Sequence, residues 1–183
     1  MSNGDKVTAK KYTILVADDD EGVIRLIVNL LSQRGHRCLQ AADGVDALNK
    51  AATTKVDAVV TDIVMPKMDG VTLTRRLLEQ TPKLPVMVMT GHDNEFSAVQ
   101  AIAAGAREFI KKPFSLKEFF LRFHKMMHDH EVSLETEARQ REMLFQSQKE
   151  SSEKMDEFKR EIDVLRSRLY GRSSPFGDED EWS

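Results

Sequence analysis

Apolar positions along the first two thirds of the chain come in two alternating patterns. Short runs rich in β-branched residues are followed by longer stretches in which apolar residues return every three or four positions, and these periods belong to strand and helix respectively. Thr13 to Ala17 (TILVA) predicts a buried strand that runs into the acidic triplet Asp18, Asp19 and Asp20. Val23, Leu26, Ile27, Leu30 and Leu31 then fall on one helical face, and Gly35 stands where a helix closes in the left-handed region. Arg37 to Ala41 predicts a second strand and Gly44 to Thr53 a second helix. A third strand, Ala58 to Thr61, feeds Asp62. A loop containing Pro66 and Gly70 leads into a helix through Leu73, Leu77 and Leu78. Val86 to Met89 is a fourth strand ending at Thr90, Glu95 to Ala104 an Ala-rich helix closed by Gly105, and Glu108 to Ile110 a fifth strand. After Pro113 a helix carries Leu116, Phe119, Phe120, Phe123 and Met127.

Five strand–helix alternations imply an α/β fold with a parallel sheet covered on both faces, because short right-handed crossovers permit little else. In such open sheets ligands sit just beyond the carboxyl ends of the strands. Asp18 and Asp19, Asp62, Thr90 and Lys112 fall at those ends of predicted strands one, three, four and five. Residues far apart in sequence are therefore expected to converge on one small site.

The pattern changes after His130. From Glu131 to Tyr170 there is no proline or glycine, and Glu, Lys, Arg and Gln abound, which favours continuous helix. Acid-first pairs at four-residue spacing (Glu135–Arg139, Glu137–Arg141, Glu150–Lys154 and Asp156–Arg160) support it locally. Met155, Phe158, Ile162, Leu165 and Leu169 recur at alternating three- and four-residue steps, the a/d seam of a coiled coil. Followed backward in register the seam meets Leu144 and Leu134 but also Ser151, Gln148 and Arg141, so the apolar stripe covers roughly two heptads, short of the usual ~3–4. A lone amphipathic helix leaves such a stripe exposed, so it calls for a partner: a second copy, another protein, or the preceding domain. Gly171 and Ser173-Ser174-Pro175 end the helix, and the acidic stretch to Ser183, with Trp182, reads as disordered. The expected organisation is a flexible tail over 1–11, an α/β domain over 12–130, a helical extension over 131–170 forming a coiled coil, and a disordered acidic tail over 171–183.

Composition narrows the setting. Of 183 residues, 31% are charged and 40% hydrophobic, and the net charge is −3, so nothing global attracts a nucleic-acid backbone or an anionic membrane. The extension is acidic on balance and has no helix-turn-helix spacing, which argues against DNA binding. The single cysteine, Cys38, excludes an internal disulfide and suits a reducing cytoplasm. No apolar run approaches the ~20 residues of a membrane helix, and Met1 to Lys11 lacks the apolar core of a signal peptide. A cytoplasmic protein is expected.

Two adjacent acids at one strand end and a third from another strand form an all-oxygen cluster suited to a small hard cation such as Mg²⁺, which keeps several waters and bridges carboxylates to phosphate. Without a cation the carboxylates repel one another and any phosphoryl dianion. With it, attack of a carboxylate oxygen on phosphorus becomes electrostatically feasible. Lys112 would add positive charge beside the transferred group, and the Thr90 hydroxyl a hydrogen bond. His124, His128 and His130 lie close together, but without a matching Cys or acidic ligand pair they read as exposed helix residues rather than a zinc site. Cys38 reads as a buried strand residue.

Here a resemblance becomes specific. Ile14-Leu15-Val16-Ala17-Asp18-Asp19-Asp20 resembles the opening strand of response-regulator receiver domains, and Asp62-Ile63-Val64-Met65-Pro66-Lys67-Met68-Asp69-Gly70 their phosphoacceptor loop. Met89-Thr90-Gly91 and Phe109-Ile110-Lys111-Lys112-Pro113 resemble their last two signatures. All four occur in order over roughly Tyr12 to His128. The resemblance implies a flavodoxin-like, doubly wound (βα)5 three-layer sandwich with sheet order 2-1-3-4-5. It implies phosphorylation of Asp62 by a sensor histidine kinase, with Mg²⁺ held by Asp62, Asp19, the Val64 backbone carbonyl and, through a water, Asp18. Thr90 and Phe109 would be the switch pair, Lys112 the lysine that salt-bridges the phosphate, and Lys112–Pro113 a cis bond. Such a protein would be no enzyme beyond its own phosphoryl transfer and dephosphorylation. Its output would be protein–protein interaction or dimerisation through the C-terminal helix. Two alternatives stay open, a phosphorelay shuttle and an assembly scaffold that is never phosphorylated.

Asp20 stands where the family often has glutamate, and Val64 where a polar side chain often orients the hydrolytic water. Apolar Val64 should make spontaneous loss of phosphate slow. Val64→Asn is expected to shorten the phosphoryl half-life, and equal half-lives in the two proteins would defeat the idea.

Overall fold

The computed structural model describes residues 10–91 and 95–170, so most of the expected N-terminal tail and the expected acidic tail lie outside the described residues. Five strands alternate with five helices: β1 (Thr13–Ala17), α1 (Glu21–Ser32), β2 (Arg37–Ala41), α2 (Gly44–Thr53), β3 (Ala58–Asp62), α3 (Gly70–Gln80), β4 (Val86–Thr90), α4 (Glu95–Ala103), β5 (Glu108–Lys111) and α5 (Leu116–Tyr170). The sheet is parallel throughout, with strand order β2-β1-β3-β4-β5. This is the flavodoxin-like topology that the family resemblance implied.

Alternation within the strands sorts side chains to two faces. Ile14, Val16, Ala58, Val60, Met87, Met89 and Ile110 pack with Ile27, Leu30 and Leu31 of α1 and with Phe119, Phe123, Met126 and Met127 of α5. Leu15, Ala17, Val59, Val86 and Val88 pack with Ala47 of α2, Leu73 and Leu77 of α3, and Ala101 of α4. β3 and β4 are buried at all their positions, which is why they read as continuous apolar runs rather than alternating ones.

Helices α1, α2 and α3 begin on acidic caps. Asp20 accepts from the Gly22 and Val23 backbone N–H groups, Asp43 from Asp46, and Asp69 from Thr72, so each satisfies donors that the first helical turn leaves open. Gly35 and Gly105 lie at φ 83° and 101°, and the close of α1 and α4 falls to the residue type without a Cβ penalty, as their positions in the sequence suggested. Cys38, expected to be buried, is only half-buried, because β2 is an edge strand.

The chain divides into two compact units at Val132/Ser133, inside α5. In the first, the start of α5 supplies Phe119 and Phe123, which stack at a ring separation of 6.1 Å. Near its end Tyr12 donates its hydroxyl to Glu131 at 2.6 Å, and Lys10 pairs with Glu131 at 2.9 Å. His124 and His128 are exposed as expected, whereas His130 is half-buried. The second unit is helical through Tyr170, and Met155, Phe158, Leu165 and Leu169 are exposed along it. Among the described residues no helix is long and apolar enough to cross a membrane.

Phe119→Ala should cost about 4 kcal/mol of folding free energy, in line with emptying a buried aromatic site. Leu121→Ala on the exposed side of the same helix should cost no more than about 0.5 kcal/mol. Urea unfolding of the two variants checks the contrast, and similar losses would contradict this packing.

Candidate functional site

Register decides which side chains meet at the carboxyl edge of the sheet. Ala17 pairs with Thr61 across β1 and β3, so Asp18 and Asp62 each follow directly at adjacent strand ends. Asp62 pairs with Met89, which puts Thr90 one step beyond it, and Thr90 pairs with Lys111, so Lys112 leaves the next strand over. Asp18, Asp19 and Asp62 each offer a carboxylate oxygen, and the three oxygens lie within 4.8 Å of one another. Asp18 is fully buried and Asp62 is 7% exposed, while Asp19 is open to solvent.

Lys112 closes the cluster. Its Nζ lies 2.7 Å from Asp18 Oδ2 and 3.2 Å from Asp62 Oδ1. The backbone that delivers it is held by the Lys112 N–H donating to the Thr90 carbonyl at 2.7 Å, and the Lys112–Pro113 bond is cis, as expected. The other Asp18 oxygen, Oδ1, accepts the Asp20 N–H at 2.9 Å, so the acid that anchors the lysine is itself fixed. Burial pushes the Asp62 carboxyl above the usual carboxylate range. The Lys112 charge pulls the other way, and the Asp18 charge adds to the rise. Burial also works against the Lys112 ammonium, but its hydrogen bond to Asp18 and the charges of Asp62 and Asp18 outweigh this and raise its pKa. Formally, three carboxylates against this one ammonium leave two negative charges in a space a few ångströms across, a surplus matched by one divalent cation. The all-oxygen donor set, partly buried and partly open through Asp19, fits a hard ion such as Mg²⁺.

Thr90 and Phe109 share a face of the sheet. Val88 pairs with Phe109 and belongs to the core under α2, α3 and α4, so Thr90, two residues on, points to the same side. Thr90 is buried, and its hydroxyl makes a long 3.4 Å contact with the Gly91 carbonyl; Phe109 is half-buried. Val64 is 63% exposed on the loop after Asp62, so its side chain borders solvent beside the acidic cluster.

That loop is braced in ways its local sequence does not show. Lys67 takes a positive φ of 62° and reaches Asp43 at 2.6 Å, tying the loop to the start of α2. The Lys67 side chain, then the Asp46 backbone N–H, hold the Asp43 carboxyl below its usual range. Gly44 lets the two segments meet, since a Cβ there would stand 2.5 Å from the Met68 carbonyl oxygen. At the loop's end the Gly70 N–H donates to the Ile63 carbonyl at 2.8 Å, and a Cβ on Gly70 would lie 2.0 Å from the Asp62 carbonyl oxygen. Sequence reasoning missed Asp43, and its pairing partner Lys67 lies 24 residues away, beyond the reach of any local pattern.

Known proteins resemble this chain in sequence and in fold. The model of the response regulator receiver domain family matches residues 14–124. The alkaline phosphatase synthesis transcriptional regulatory protein PhoP of Bacillus subtilis is 35% identical over 120 residues, covering 66% of this chain and 50% of its own length. The response regulator MprA of a Mycobacterium species (strain KMS) is 38% identical over 114 residues, covering 62% of this chain and 50% of its own. The chain thus spans about half the length of these relatives. Among solved structures, NtrX from Brucella abortus with ADP superposes with a TM-score of 0.66 at 32% identity, over 69% of this chain and 29% of that one. A receiver domain from Clostridium thermocellum superposes with a TM-score of 0.61 at 28% identity, over 66% of this chain and 97% of that one. The family model covers more than half of the chain, and the chain belongs to the response regulator receiver domain family.

Proposed function

We propose that this protein is a phosphorylation-controlled signalling component that takes a phosphoryl group onto Asp62 from a sensor histidine kinase in the cytoplasm. The observation that carries this reading is the meeting of Asp18, Asp19 and Asp62 with the Lys112 ammonium at one sheet edge. An Asp62 carboxylate oxygen attacks phosphorus, the bond from phosphorus to the donor histidine nitrogen breaks, and the imidazole leaves with that electron pair. Asp18, Asp19, Asp62 and the Val64 carbonyl would hold Mg²⁺, which when bound neutralises charge on the phosphoryl oxygens. Lys112, already raised in pKa and 3.2 Å from Asp62 Oδ1, stays protonated and pairs with a phosphoryl oxygen. Thr90, buried and weakly engaged, swings its hydroxyl to the phosphoryl group, and Phe109 turns into the space released. This shifts a population between two arrangements of the α4–β5 region because only one makes the new contacts.

The chain acts on no separate substrate in this reading. Its output is protein–protein interaction through the helix beyond residue 130, whose exposed apolar residues want a surface and whose acidic balance disfavours a nucleic-acid backbone.

Incubation with acetyl phosphate and Mg²⁺ should add one phosphoryl group by intact mass. Asp62→Asn should add none, and Lys112→Ala should be labelled without the change in amide hydrogen exchange over α4 and β5 that labelling should cause in the wild type. An unlabelled wild type overturns the reading.

Mg²⁺ alone should stabilise the wild type by about 1.4 kcal/mol at tenfold its Kd, read as a rise in Tm. Asp62→Asn and Asp18→Asn should lose most of that rise, and an undiminished rise in both would place the cation elsewhere.

A further inference from the structure

We infer that the seam from Met155 to Leu169 pairs with the same seam of a second copy, parallel and in register. The inference rests on the proposed helical output and names its partner.

Met155, Ile162 and Leu169 take the a positions and Phe158 and Leu165 the d positions. Four of these five side chains are more than half exposed along an unbroken helix, and Ile162 is partly covered. In a parallel, in-register pair each meets its own copy, giving five consecutive apolar layers. The next positions toward the N-terminus are Ser151 at d and Gln148 at a, followed by Leu144 at d. Self-pairing sets serine against serine and glutamine against glutamine, and a polar residue at an a position is the device that fixes register in two-stranded coils.

Flanking charges discriminate among the alternatives. In parallel register Glu161 at g faces Arg166 of the second copy at e, twice by symmetry, while Lys154 faces Lys159. Lys159 is partly compensated within its own helix by Asp156 at 3.8 Å. An antiparallel pair that keeps Met155 against Leu165 and Phe158 against Ile162 sets Glu161 against Glu161, Lys159 against Lys159 and Lys154 against Arg168, all like charges. Sliding that pair by one heptad brings Lys154 to Glu161, but it opposes Ile162 to Ser151 and Leu165 to Gln148, burying polar groups against apolar ones. The parallel arrangement alone among these three matches apolar with apolar, polar with polar, and one acid with one base.

Position 151 separates the arrangements, because it meets its own copy only in the parallel, in-register pair. In full-length protein carrying Cys38→Ser and Ser151→Cys, mild oxidation should give a disulfide-linked dimer on a non-reducing gel, with or without acetyl phosphate and Mg²⁺. Glu153→Cys in the same background, on the outer f position, should link at least tenfold less. Equal linking at 151 and 153, or a dimer by light scattering that does not link at 151, overturns the parallel seam, and so does a monomer at all concentrations. These results are separable from failure of the proposed function, since phosphoryl uptake by Asp62 is measured on the same samples. Uptake without linking removes the pairing alone.

Discussion

Asp18 and Asp62 are buried side by side at the ends of two neighbouring strands, with the Lys112 ammonium bridging them and Asp19 at the rim. Like charges at such short range and low exposure are held together only by a fold that is stable for other reasons. Those reasons are the two apolar layers that cover the sheet, each built from one set of alternating strand positions and its own helices. The strain of the cluster is electrostatic, and under the proposed function a cation, or a new anion paired with Lys112, would relieve it.

Around the cluster, local contacts hold the backbone that carries the acids. Asp20 caps α1 while its N–H holds the Asp18 carboxylate, so the first acidic triplet serves at once as helix start and charge site. The Lys67–Asp43 pair and the close approach at Gly44 and Gly70 brace the loop that carries Val64 and follows Asp62. By contrast Thr90 and Phe109, on the shared face of β4 and β5, are less tightly engaged, the condition for two groups expected to move.

Beyond residue 132 a different physics applies. The helix there buries no core of its own, and its apolar side chains are exposed in an order that repeats over two heptads and then meets Ser151 and Gln148. Two heptads are short for a coiled coil, so any pairing through the seam would be weak and open to change by a modest free energy.

The sequence by itself determined the five-fold alternation of strand and helix, the site residues at strand ends, the glycine closures at Gly35 and Gly105, and the unbroken helix after His130. Each is encoded within a few residues by period, cap or breaker, and the family signatures extended this to the sheet order and the cis Lys112–Pro113 bond. Only the tertiary structure decided that Lys112 bridges Asp18 and Asp62, that Lys67 reaches back to Asp43, that Tyr12 and Lys10 meet Glu131, and that Cys38 and His130 are half-buried. These depend on register between strands and on side chains up to 119 residues apart, and distance along the chain carries no signal of proximity in space.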